Sequence, residues 1–175
     1  MQRVDRRRSF IAVVAAVLLI ATSGSAALAT TTRHLIESHG MAPQVEDYRS
    51  ATMTQHGNVL SFRGVISSQT QVSSGPYGDL VAGTETNVFN YDVDWVKGSG
   101  FWWGKGDHKT VYEGGFWECS WHGRMVNFAW TGQGVCHGAG TLEGWQWRAD
   151  LSMDGSRIFH TDGYIFFPGD RSTSD

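Results

Sequence analysis

Proline and cysteine are scarce in this chain of 175 residues, which contains three prolines and two cysteines beside 22 glycines. So few prolines exclude a proline-rich linker, whereas abundant glycine suits tight turns between short segments. No segment after residue 40 has apolar residues at the i, i+3, i+4, i+7 spacing of an amphipathic helix. These absences predict an all-β protein.

The sequence also lacks a hydrophobic run long enough to cross a bilayer. The apolar run Phe10–Ala21 has twelve residues, whereas a membrane-spanning helix needs about 20. A basic start precedes this run, and Ala27-Leu28-Ala29 follows it as a small-residue cleavage site. This order predicts a secretory signal peptide over residues 1–29 and a mature protein without a membrane span.

The signal region also indicates how the protein leaves the cytoplasm. The segment Arg7-Arg8-Ser9-Phe10-Ile11 resembles the twin-arginine export motif. A general secretory signal with a basic start is the alternative. Either route predicts an extracytoplasmic protein, secreted or periplasmic.

Positive charge is scarce once residues 1–29 are set aside. They hold four of the 14 Lys and Arg residues and one of the 17 Asp and Glu residues, so residues 30–175 carry a formal charge of −6. No basic stripe remains to meet phosphates, which argues against nucleic acid as a partner. The remaining length predicts one domain, with a flexible lead-in over 30–50, a β domain over 51–169 and a tail over 170–175.

Tryptophan, by contrast, is abundant, and all eight tryptophans lie between Trp95 and Trp147. Around them, large apolar residues alternate with polar ones at the two-residue period of a β-strand. The clearest alternating segments are 87–96, 114–121, 142–151 and 158–167. Glycine-rich pieces between such segments predict turns at 104–108, at His122-Gly123 and at Asp154-Gly155, and a Ser/Gly/Pro-rich loop over 67–83.

The predicted strands follow one another at hairpin distances, which indicates antiparallel pairing. Seven or eight short strands at roughly ten-residue intervals suit a sandwich or a closed barrel. Nearly every connection is consistent with a simple hairpin, and closure removes exposed sheet edges. We therefore expect a single antiparallel up-and-down β-barrel of about eight strands.

A glycine pattern adds a family resemblance. The segment Gly138-Ala-Gly140-Thr-Leu142-Glu-Gly144 is similar to the Gly-x-Gly-x-φ-x-Gly element of the allene oxide cyclase and dirigent-like (calycin-type) β-barrel proteins. The resemblance extends loosely from Asn87 to Pro168. It implies an eight-stranded barrel related in shape to the lipocalins, within families that include isomerases, cyclases and stereochemical guides for phenolic radicals. It carries over a fold and no catalytic residue.

The two cysteines, Cys119 and Cys136, both lie in the predicted mature part. In an oxidising compartment such a pair more often forms a disulfide than a metal site. Zinc ligation together with His122 and His137 is the alternative, but the spacing matches no common zinc motif. We expect a disulfide, and neither a metal ion nor another cofactor.

Charged residues on the last two predicted strands are the candidates for catalysis. His160 and Asp162 share one face of the final strand, and Arg148 and Asp150 share one face of the strand before it. If both faces line the barrel, the four side chains could transfer protons, as in a cofactor-free isomerase or cyclase. If both faces meet solvent, the same charges are ordinary. The direction of strand 142–151 therefore decides between a polar and an apolar interior.

Aromatic residues are the candidates for binding. In Phe101-Trp102-Trp103 the middle ring must face away from its two neighbours, so at least one large ring lies outside any single core. Such a ring predicts contact with a ligand or a second copy of the chain. The preferred hypothesis is a secreted barrel that binds a small apolar or aromatic ligand, or a glycan, through aromatic rings. The candidate ligand-binding residues are Phe101, Trp102, Trp103, Trp117, Trp145 and Trp147.

Overall fold

The computed structural model describes residues 33–42, 44–153 and 156–167 of the chain. The predicted signal peptide, the turn predicted at Asp154-Gly155 and the predicted tail 170–175 lie outside the described residues. Within them, no helix is long and apolar enough to span a bilayer. The described elements are β1 (Arg33–Gly40), β2 (Val45–Asp47), β3 (Thr52–His56), β4 (Val59–Ser73), a 3-10 turn (Gly78–Leu80), β5 (Gly83–Asp94), β6 (Ser99–Thr110), β7 (Gly115–Val126), β8 (Ala129–Gly140), β9 (Gln146–Met153) and β10 (Phe159–Phe166).

Eight strands form a closed ring in which each strand is hydrogen-bonded to an antiparallel neighbour on both sides. From β4 to β10 the ring follows chain order, and β1 pairs with both β10 and β4. The closing pairs join Ser38–Gly40 of β1 to Gln71–Ser73 of β4. Strands β2 and β3 cover other parts of β4. The predicted all-β class and antiparallel hairpin order are confirmed.

The segment 30–50 contains β1 and β2 where the sequence predicts a flexible lead-in. The inward residues of β1 include Ser38 and Gly40 beside Ile36, so no apolar alternation marks this strand. Its pairing with β10 brings Ser38 next to Thr161, 123 positions away. Because the stabilising partner is so distant, local sequence does not reveal the strand.

Two predicted turns lie inside strands. Residues 104–108 belong to β6, and His122-Gly123 belongs to β7. The β7–β8 turn is formed instead by Asn127 and Phe128, with φ values of 51° and 62°. Positive φ at both central residues is typical of a type I′ hairpin turn. The predictions were wrong because glycine within a strand has the same local signature as glycine in a turn.

The glycines inside the strands make room for inward aromatic rings. The Trp102 ring covers Gly123 of β7 and Gly132 of β8, and a Cβ at either glycine would overlap the indole. The Trp121 ring covers Gly134 in the same way. A narrow ring of strands can hold such large side chains because the facing positions have none.

Three tryptophans form the centre of the core. The Trp147 ring centroid lies 6.1 Å from that of Trp117 and 5.8 Å from that of Trp121, and all three side chains are buried. Beside them Cys119 and Cys136 face each other across β7 and β8. They are joined by a disulfide, as the sequence predicts.

One end of the ring is filled by the connection between β4 and β5. Its Leu80 and Val81 are buried in the core. Trp117 Nε1 donates a 2.6 Å hydrogen bond to the Leu80 carbonyl, and His108 Nε2 donates one to the Val81 carbonyl. These bonds fix the connection against strands β6 and β7, so this end is closed.

The buried His108 makes stability depend on pH. Burial lowers the pKa of His108 below its ordinary 6.5, partly offset by the charge of Glu85 and by the Val81 carbonyl. The unfolded chain takes up a proton that the folded chain does not, so the free energy of unfolding falls as pH drops below about 6.5, by up to about 1.4 kcal/mol per pH unit.

We expect His108→Gln to flatten this pH dependence, because a glutamine amide can still donate to Val81 but does not titrate. Urea denaturation between pH 7 and 5 measures the slope. The matched control is His137→Gln, at an exposed position of β8, and it should follow the wild type. An unchanged slope in His108→Gln would contradict the assignment.

Candidate functional site

A cavity of about 370 Å³ lies inside the end of the ring away from the 3-10 turn. Its walls are mostly aromatic rings and methionines, with a few polar side chains at one side. We call it the aromatic cavity. Its lining residues are Gln44, Glu46, Tyr48, Phe62, Phe89, Tyr91, Val93, Trp95, Trp102, Met125, Phe128, Trp130, Met153, Arg157 and Phe159.

Strand register brings the main rings of the cavity together. Tyr91 of β5 is directly opposite Trp102 of β6. The Tyr91 ring meets Trp130 edge to face, with centroids 5.6 Å apart, and Trp102 meets Phe89 in the same way at 5.4 Å. Edge-to-face pairs are a favoured aromatic geometry, so the rings hold one another in position.

Trp102 is the most constrained ring of the wall. It is 3% exposed, and its Nε1 donates a 3.2 Å hydrogen bond to the Thr131 carbonyl. The ring packs directly against the backbone of Gly123 and Gly132, so closely that a Cβ at either position would overlap it. Trp102 therefore offers a rigid apolar surface to the cavity.

The polar side of the cavity is a single hydrogen-bonded group around Glu46. Its carboxylate accepts bonds from Tyr48 Oη at 2.6 Å, Tyr91 Oη at 3.0 Å and the Arg157 guanidinium at 2.8 Å. Burial is the main cause that raises the pKa of Tyr91 and of Tyr48, and Glu46 adds to it through its charge and its hydrogen bonds to both phenols. Both phenols thus stay protonated donors. With Arg157 balancing Glu46, this side of the cavity is electrically neutral.

The predicted Phe101-Trp102-Trp103 group divides as pleating requires. Trp102 faces the cavity, whereas Phe101 is 66% exposed and Trp103 is 39% exposed on the outer face. The Arg63 guanidinium lies 4.8 Å from the Trp103 ring centroid. The inward and outward members of this group are therefore candidates for different contacts.

The other predicted binding tryptophans do not line the aromatic cavity. Trp117 and Trp147 are buried in the core near its closed end. Trp145 is partly buried, with its ring centroid 4.3 Å from that of Phe167 in an edge-to-face contact. These three rings stabilise the fold.

The predicted catalytic group lies on the outer face of the ring. Along β9 the residues Trp147, Ala149 and Leu151 point inward, so Arg148 and Asp150 are exposed. His160 and Asp162 are exposed on β10 for the same reason. Asp162 is directly opposite Asp150, which accepts a 3.0 Å hydrogen bond from Gln133. The four residues therefore do not form a site inside the ring.

Sequence reasoning missed the polar side of the cavity. Glu46 and Tyr48 come from the segment expected to be a lead-in, and Arg157 follows the last predicted turn. Glu46 and Arg157 are 111 positions apart, so no spacing reveals their contact. The period-2 pattern of β5 does place Tyr91 on the face of Phe89 and Val93, which is the one signal that could have found it.

Metal ligation has no candidate group in the described ranges. No cluster of three or more His, Cys, Asp or Glu side chains there could hold an ion. The sulfurs of Cys119 and Cys136, considered as zinc ligands, are consumed by the disulfide.

Comparison with known proteins identifies no relative from which a function could be inferred, so the functional argument depends on the cavity. No protein-family model matches the sequence, and no curated protein matches it at a significant level. The glycine segment 138–144 has a structural role: Gly140 and Gly144 have positive φ at 64° and 85°, and Leu142 between them is completely buried. This segment forms the β8–β9 turn.

Proposed function

We propose that this chain is an extracytoplasmic β-barrel protein that binds a small apolar or aromatic ligand inside the aromatic cavity. The observation that carries the proposal is the cavity itself, preformed at one end of the strand ring. Its volume lies within the range of about 300–1,000 Å³ that is typical of small-molecule sites. The proposal also includes two further points: the strand ring is an up-and-down β-barrel, and the chain resembles the allene oxide cyclase and dirigent-like families.

The chemistry of the walls supports an apolar ligand over a glycan. Trp102, Trp130 and Phe89 offer flat apolar surfaces that lose little side-chain entropy on binding. The polar groups around Glu46 already bond to one another, whereas a sugar needs free donors and acceptors. Burial of apolar ligand surface contributes about 25 cal/mol per Å², so a ligand of two fused rings would be held mainly by the walls.

Export is supported by two independent features. The disulfide between Cys119 and Cys136 is compatible with an oxidising compartment. The basic, apolar and small-residue order of residues 1–29 is that of a signal peptide. A secreted or periplasmic binding protein accounts for both.

We expect N-phenyl-1-naphthylamine, a neutral aromatic probe whose fluorescence rises in apolar sites, to bind the protein. Trp130→Ala should weaken that binding about tenfold, because it removes one wall and the edge-to-face support of Tyr91. Fluorescence titration measures the dissociation constants. The matched control is Trp103→Ala, which removes an outer-face indole of the same size and should leave probe binding unchanged.

The opposite ranking would place the ligand on the outer face. If Trp103→Ala weakens probe binding and Trp130→Ala does not, the exposed Phe101 and Trp103 rings form the binding surface. If neither variant changes binding, the probe does not enter the aromatic cavity and the proposal fails.

A further inference from the structure

A small polar recess adjoins the aromatic cavity. It has room for one water-sized group, about 10 Å³, and it shares the side chains of Gln44, Phe89 and Phe159 with the cavity wall. Its polar lining residues are Gln44, Ser67, Gln69, Glu85 and Asn87. We call this space the acceptor recess, after the carboxylate of Glu85 and the amide oxygens of Gln69 and Asn87.

The three residues are more than nine-tenths buried, and the amide groups of Gln69 and Asn87 each donate one hydrogen bond. The Glu85 carboxylate accepts one 2.7 Å hydrogen bond from Asn87 Nδ2 and another from Gln71 Nε2. Gln69 Nε2 donates to the Ala42 carbonyl at 2.9 Å. Gln69 Oε1 and Asn87 Oδ1 are both buried and accept no hydrogen bond within the described part of the chain.

The charge of Glu85 also lacks a cationic partner among the described residues. The ion pairs there involve Asp47, Asp92, Asp94 and Glu46. His108, directly opposite Glu85 on β6, is buried with a lowered pKa and donates its Nε2 hydrogen to Val81. It therefore adds no positive charge.

Buried acceptors and a buried carboxylate both gain from a donor that carries positive charge. A primary ammonium has three donor hydrogens and one charge in the volume of a single small group, which matches the two amide oxygens, the carboxylate and the size of the recess. A hydroxyl supplies one donor and no charge. Glu46 offers no comparable site, because Arg157 and two phenols already occupy its oxygens.

We propose that the ligand of this protein is an aralkyl primary amine, with its aromatic body in the aromatic cavity and its ammonium in the acceptor recess against Glu85, Gln69 and Asn87. This inference rests on the proposed binding function and names the class of its ligand. The two compartments adjoin at the side chains of Gln44, Phe89 and Phe159, which line both, so a short alkyl chain would join ring and head.

The test compares three probes of equal body: 3-phenylpropylamine, 3-phenylpropan-1-ol and propylbenzene, titrated calorimetrically at pH 7 into the disulfide-bonded protein. We expect the amine to bind more tightly than propylbenzene by on the order of 10- to 100-fold, the alcohol lying between them. Glu85→Gln should bring the amine to the level of the alcohol and leave propylbenzene unchanged. Glu118→Gln, at an exposed position of β7, should change none of the three.

A fourth probe separates the recess from simple attraction between a cation and aromatic rings. Trimethyl(3-phenylpropyl)ammonium keeps the charge, has no N–H donor and is too large for the recess, so it should bind no better than propylbenzene. Binding as tight as that of the primary amine would overturn the inference in favour of the aromatic walls.

The probe series also separates failure of the two proposals and does not depend on the folding of a variant. If propylbenzene and the alcohol bind as well as the amine, the ammonium assignment is wrong and the cavity function stands. If none of the probes binds, the proposed function itself is wrong. Near-UV circular dichroism establishes that Glu85→Gln is folded, and the wild-type series decides the question if it is not.

Discussion

Gly134→Ala is expected to lower the free energy of unfolding by about 3 kcal/mol, a large change for the addition of one methyl group. A Cβ at residue 134 would overlap the six-membered ring of Trp121. That indole is 2% exposed and lies against Trp147, so moving it aside would disturb the packing of the core. Urea denaturation with linear extrapolation measures the loss.

A double-mutant cycle shows whether the indole is the cause. Trp121→Leu alone should destabilise the protein by removing buried surface. Combined with Gly134→Ala, it should cost less than the sum of the single changes, by about 1–3 kcal/mol, because leucine leaves room for the methyl group. Additive losses would mean that the glycine is required for its backbone rather than for the space beneath the ring.

Replacing both Cys119 and Cys136 by alanine is expected to lower the free energy of unfolding by about 3 kcal/mol. The bond closes a loop with a sequence separation of 17 and lies in the core beside Trp147. Its loss frees the unfolded chain and also leaves space between β7 and β8. The midpoint of urea denaturation under non-reducing conditions measures the change.

Reduction of the wild type provides the matched control for the disulfide. Unfolding measured with excess reductant should shift the wild-type midpoint toward that of the double alanine variant and leave the variant itself unchanged. A double variant as stable as the oxidised wild type would show that β7 and β8 need no disulfide, because their strand pairing alone stabilises them.

The sequence was sufficient for the strand class, the hairpin order and the disulfide, because each depends on near neighbours or on residue type. The errors occur where an inward position is not apolar. Gln69 and Gln71 face inward in the second half of β4, so part of the predicted loop 67–83 is strand. In β6 and β8, Gly104 and Gly134 face rings on neighbouring strands. The glycine-rich sequences of these two strands therefore resemble those of successive turns.

The candidate site was predictable to a smaller extent. Pleating alone separates Trp102 from Phe101 and Trp103, and this division is confirmed. The choice of which side faces inward depends on strand neighbours that the sequence does not specify. The group around Glu46 joins two segments far apart in the chain. The polar residues of the acceptor recess occupy inward positions where a pattern search expects apolar ones.

The closure of the ring constrains the order of events during synthesis. Strand β1 precedes every other described strand and so leaves the ribosome before them, yet its partners along most of its length belong to β10, the last described strand. The remaining contact of β1, with β4, comprises three residue pairs. A nascent chain therefore holds β1 without its main partner until translation has passed residue 166. The hairpins from β4 to β9 can form earlier, and closure of the ring by β1 and β10 follows them.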